Sequence, residues 1–117
     1  MAITECGSCT FVDAPKRGGM GWYVVDYSKP LPEVKPGVVR SEATQARYFA
    51  EVLEVFGSMD LHSTMIYQFV SPDSPHRPDR RYDMDIASYG LVKAIWERPD
   101  LPGDWHWERK QAFHTVA

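Results

Sequence analysis

Residues 41–57 form an amphipathic helical pattern with both ends marked, and the rest of the chain must fold so as to cover its apolar arc. Ser41 is a good N-cap, and Glu42 stands in the first turn, where the helix dipole favours a carboxylate. Ala43, Ala46, Phe49, Ala50, Leu53 and Phe56 recur at three- and four-residue steps, and Tyr48, Val52 and Val55 widen the stripe. Arg47, Glu51 and Glu54 hold the wet face. An arc this wide suits a helix wedged between a sheet and neighbouring helices. Gly57 stands where a C-terminal glycine is expected.

Strand-like segments flank that helix. Residues 2–12 are rich in β-branched, small and aromatic types without helical period and read as a strand, able to end near Gly7. The run Thr64–Val70 is almost unbroken in apolar character, as in a strand covered on both faces of a parallel sheet. Strand, helix, strand implies a right-handed βαβ unit. Residues 13–21 read as a glycine-rich loop and 22–27 as a second extended piece. Pro30, Pro32, Pro36 and Gly37 make 28–40 an irregular connector. After a polar loop over 71–81, a second helix is expected from about Asp85 through Ile86, Tyr89, Val92, Ile95 and Trp96, stopping before Pro99. A short helical tail runs from Lys110 to Val116. Both strong strands lead into long Gly-, Pro- and charge-rich loops, which marks their carboxyl ends as the functional face and puts Glu5 on it.

At 117 residues, with 44% hydrophobic and 25% charged side chains, the chain reads as one soluble α/β domain spanning 1–117. A net charge of −3 gives no reason to expect a nucleic acid or an anionic membrane as partner. No run approaches the ~20 apolar residues of a membrane span, and the start lacks a basic and apolar leader, so the chain reads as cytoplasmic. Cys6 and Cys9 form a C-x-x-C, open to a redox pair, half a zinc site, or two reduced thiols lining a strand. Zinc would need a second pair, and His62, His76, His106 and His114 lack ligand spacing. No metal and no cofactor is therefore expected.

Several ordered motifs carry a resemblance. Ile3-Thr4-Glu5-Cys6-Gly7, Arg17-Gly18-Gly19-Met20-Gly21-Trp22, Tyr67-Gln68-Phe69-Val70-Ser71-Pro72-Asp73, the stretch Tyr82 to Lys93 and the closing Trp107 to His114 cover nearly the whole chain. Together they look like the C-terminal part of bacterial glycoside-hydrolase-like TIM-barrel proteins, some of which bear an abortive-infection label. The resemblance implies a partial (β/α)8 barrel, with residues 2–12 as strand seven, the helix from Ser41 as the seventh outer helix and 63–70 as strand eight. It maps the nucleophile of such glycosidases onto Glu5. The acid/base glutamate would lie on strand four, which this chain does not have, and Cys6 stands where family members usually carry an aromatic.

Glycoside hydrolysis normally uses two carboxylates, about 5–5.5 Å apart for retention and ~6.5–9.5 Å for inversion. Asp13, Asp73, Asp83 and Asp85 are the candidates on functional-face loops to join Glu5. For Asp83 and Asp85, N-capping of the following helix competes with that role. Trp22, Tyr67, Gln68 and Asp73 are the candidate sugar-binding residues, since aromatic faces suit the apolar faces of sugar rings. Arg77, Arg80 and Arg81 read as solvated loop charges in surface pairs. The sequence thus points to a carbohydrate-acting or carbohydrate-binding protein, with a non-catalytic interaction module as the alternative. A lone βαβ leaves apolar faces and open edges, so self-association, or a separate chain completing the barrel, is expected.

Overall fold

The computed structural model describes residues 2–97 and 104–117 and shows a mixed α/β fold. Strand β1 (Ala2–Cys6) leads through a short helix α1 (Ala14–Arg17) and a 3-10 helix over Gly18–Val24 to β2 (Val25–Asp26) and β3 (Glu33–Val34). Then come helix α2 (Glu42–Gly57), β4 (Ser63–Ile66), two 3-10 turns over Arg80–Tyr82 and Met84–Ala87, β5 (Val92–Trp96), β6 (Trp105–Arg109) and helix α3 (Gln111–Val116). β1 and β4 pair in parallel across α2, while β2 with β3 and β5 with β6 are antiparallel pairs. No helix among the described residues is long and apolar enough to cross a membrane.

The expected helix forms where its ends were marked. Ser41 caps α2 by accepting from the Thr44 amide at 3.0 Å. Its buried line runs through Gln45 and Phe49, with Val52 and Phe56 packed against the same cluster, while Ala43 and Ala50 face outward. At the other end Gly57 is the last helical residue, and Ser58 Oγ closes the turn on the Val55 carbonyl at 2.7 Å. Phe49 is fully buried among Cys6, Leu91 and Ala112, which contributes about 1.5–3 kcal/mol. A second cluster joins Phe11, Val24, Val25, Val34 and Ile86.

Several expectations change, among them the loop expected over residues 13–21, which holds α1 and the start of the 3-10 helix. The first strand ends at Cys6, beside Gly7, so residues 8–12 do not extend it, and the run 64–70 is ladder-paired only as far as Ile66. β4 is covered on one face only: Ile66 turns onto the α2 cluster, whereas Met65 is 58% exposed. The piece at 22–27 is mostly a 3-10 turn, with only Val25 and Asp26 extended. The helix read from Asp85 is instead a single 3-10 turn followed by strand β5, which pairs with β6 from Val92↔Arg109 to Trp96↔Trp105. Here the chain answers to tertiary packing. Val92 and Ala94 are buried and Lys93 only partly so, an alternation that suits a strand. Pro99, read as the stop, lies outside the described residues. The tail helix forms as expected, one residue later than Lys110.

A buried ionic network joins these pieces. Lys110 is fully buried; its Nζ donates to Thr10 Oγ1 at 2.9 Å and to both Asp85 oxygens at 3.2 Å. Arg40 Nη1 reaches Asp85 at 2.9 Å and Asp83 at 3.1 Å, and its Nη2 reaches Glu42 at 3.0 Å. Lys93 Nζ donates to Glu42 at 3.1 Å. Three cations (Arg40, Lys93, Lys110) meet three carboxylates (Glu42, Asp83, Asp85), so the charge taken out of water balances. Burial pulls the Lys110 ammonium below its ordinary pKa, and Asp85 opposes that pull.

Candidate functional site

Glu5 is the penultimate residue of β1, exposed, and followed by a turn that brings three other segments to it. The Tyr67 amide donates to the Cys6 carbonyl at 2.8 Å, which extends the β1–β4 pairing by one bond. Gly7 has no room for a side chain: a Cβ there would lie 2.0 Å from the Tyr67 carbonyl oxygen. Beyond Tyr67, whose peptide bond to Gln68 is cis, the chain is stitched to the segment leading into β5. The Gln68 amide donates to Tyr89 O, and the Leu91 and Val92 amides donate to Gln68 O and Phe69 O. Gln45 holds this seam from α2, its Nε2 donating to Ser8 O at 3.1 Å and to Gly90 O at 3.0 Å.

The opposite wall comes from α1 and the glycines after it. Asp13 and Gly18 bracket α1 at φ 70° and φ 57°, the left-handed region that glycine tolerates best. Tyr89 Oη donates to Gly19 O at 3.2 Å and ties this wall to the floor. The result is a cavity of about 620 Å³, lined by Glu5, Cys6 and Gly7, by Trp22, Tyr48, Tyr67 and Tyr89, and by backbone from the glycine loop. That volume is within the range that holds one small ligand. The Tyr67 and Tyr89 rings lie 5.7 Å apart, tilted by 59°.

Of the residues singled out from sequence, the structure brings Glu5, Trp22 and Tyr67 to this one cavity. It does not bring Gln68 or Asp73. Gln68 turns its amide onto the Val70 carbonyl at 2.8 Å, and Asp73 sits exposed in the turn after it. Tyr48 and Tyr89 complete the aromatic lining, and sequence reasoning had assigned both to helix stripes. Tyr89 carried no separate signal apart from Gly90 beside it, which breaks a helical reading.

Asp83 and Asp85 are also reassigned, from capping to the buried network, where they are 2% and 1% exposed. Asp83 Oδ1 further takes the Arg77 amide at 3.2 Å and faces His76 Nδ1 at 3.1 Å. Asp13 pairs with Lys16 at 3.5 Å on the surface. Glu5 is therefore the one carboxylate lining the cavity among the described residues. Arg81 pairs with Glu33, and Arg80 donates to the Lys35 and Val38 carbonyls.

The cysteines are free and buried. Burial raises the Cys6 thiol and pushes Cys9 up to about 11, so both remain protonated at neutral pH and are weak nucleophiles. Burial also raises the Tyr89 hydroxyl. Among the described residues no group of three His, Cys, Asp or Glu is placed to hold a metal. No family model matches the chain, and no curated protein is significantly similar to it.

Proposed function

We propose that this chain is a barrel-derived α/β unit, equivalent to strands seven and eight of a (β/α)8 barrel with their helices, and that its cavity binds a carbohydrate with Glu5 in the nucleophile position. One observation carries this reading: Glu5, at the carboxyl end of a parallel strand, shares a cavity of about 620 Å³ with four aromatic side chains. Aromatic faces and a hydrogen-bonding carboxylate are the pair of features a pyranose ring calls for. Binding is favoured over hydrolysis because two-carboxylate chemistry needs a second carboxyl within about 10 Å, and the described lining supplies only Glu5. We infer a cytoplasmic setting, which the two unpaired cysteines support.

Calorimetric titration of the full chain with neutral mono- and oligosaccharides tests this. Saturable binding that weakens about tenfold in Tyr67→Ala is expected, since stacking contacts of this kind are worth roughly 1 kcal/mol or more. No binding of any saccharide at millimolar concentration would overturn the reading.

A second reading rests on a different observation. β1 and β4 form a two-stranded sheet with both outer edges unpaired among the described residues, and Met65 stands exposed beside it. Such edges pair readily with other chains, so the alternative is an interaction module that self-associates. Light scattering decides: a strictly monomeric chain at high concentration removes this reading.

A further inference from the structure

Each of the three carboxylates in the buried network has a cation. Asp85 has Lys110 and Arg40, Asp83 has Arg40, and Glu42 has Arg40 and Lys93. Glu5 has none: no ion pair among the described residues includes it, and the described lining of its cavity contains no Lys, Arg or His. Other carboxylates without an ion pair among the described residues, such as Glu54 and Asp60, are exposed. Glu5 instead lines one cavity with Trp22, Tyr48, Tyr67 and Tyr89, rings whose faces are negative and attract cations. Tyr89 Oη is committed to Gly19 O, which fixes that ring in the lining.

A single negative charge within an aromatic wall is the composition of an ammonium site. We propose that the ligand of this cavity carries a protonated amine, so that the sugar it takes is an amino sugar with its ammonium on Glu5 and its ring against the aromatic wall. The proposal rests on the carbohydrate reading above and narrows it. The four rings provide cation–π attraction, Glu5 provides a charge-assisted hydrogen bond, and no cationic side chain of the described lining competes. A neutral ring would meet the same aromatic faces without the charge-assisted bond.

The test titrates the full chain at neutral pH with D-glucosamine, N-acetyl-D-glucosamine and D-glucose, which share a ring and differ in charge at one carbon. Glucosamine is expected to bind about tenfold more tightly than the other two, with the advantage shrinking as salt is raised. In Glu5→Gln the three affinities converge while thermal unfolding stays unchanged. Equal affinities for all three in the wild-type chain would overturn the amine preference and leave carbohydrate binding standing. Tight glucosamine binding that survives Glu5→Gln would also overturn it, since the ammonium would then sit elsewhere. Failure of all three to bind would overturn the carbohydrate reading itself and this proposal with it.

Discussion

Asp85 and Glu5 are carboxylates of the same chain treated in opposite ways. Asp85 is 1% exposed and engaged by Lys110 and Arg40 through three contacts of 2.9–3.2 Å. Glu5 is exposed at a strand end, with aromatic rings and backbone around it and no cation among the described residues that line its cavity. The difference separates two kinds of duty. A buried charge must bring its partner or the fold would not form, whereas a carboxylate left without one at a concave site is available to something from outside. The ionic region joins the start of α2, the Met84–Ala87 turn and the start of α3 into one body. None of these charged residues lines the cavity, which lies at the end of β1 in the sheet left open on one face.

The largest effect is expected from Asp85→Asn. It leaves Lys110 buried beside an uncharged partner and should cost about 3–5 kcal/mol in urea unfolding; a loss under about 1 kcal/mol would place Asp85 among ordinary surface residues. Gly7→Ala comes next, at about 1–3 kcal/mol, because its Cβ would collide with the Tyr67 carbonyl and one of the two backbones must move. Unchanged stability there would mean that the seam beneath the cavity is loose.

Glu42 gives a smaller, pH-dependent effect. Burial alone would raise its pKa, but hydrogen bonds from Arg40 and Lys93 and from the Gln111 amide outweigh burial and hold it below 4.5. The unfolded chain then binds more protons in the window just below that value, so stability rises with pH across it. Glu42's contribution is present above about 4.5 and lost as pH falls through the folded value, and Glu42→Gln should flatten the acid limb of a stability profile. Glu5→Gln should have the smallest effect of all, within about 0.5 kcal/mol by the same unfolding measurement. A larger loss would make Glu5 structural and close the gap between the two carboxylates.

What could be read from residue order was local. Ser41 and the Ala43–Phe56 spacing announce α2, and the tail helix follows from its own pattern. The strand ends near Cys6 and Ile66 are set by pairing between segments about sixty residues apart, which composition does not register. The β5–β6 hairpin was missed because Ile86, Tyr89, Val92 and Ile95 recur every third residue and imitate a helix face. The alternation Val92-Lys93-Ala94 was the competing signal. The ion network was out of reach for a simpler reason: Lys110 and Thr10 are 100 positions apart, and nothing local selects one lysine among many for burial. At the candidate site, Glu5, Trp22 and Tyr67 could be named from strand ends and loop chemistry, but that Tyr48 of α2 and Tyr89 before β5 join them in one cavity depends on tertiary packing.

Glu42 also reaches beyond its own helix. One of its oxygens accepts from the Gln111 amide at 3.0 Å, the first N–H of a six-residue helix too short to persist alone in water. The last helix of the chain therefore borrows its starting point from the first turn of the longest one. In hydrogen–deuterium exchange the Gln111 amide should not behave as part of a fraying terminus. Its deuterium uptake should keep pace with the first turn of α2, so that the two ends open as a single unit.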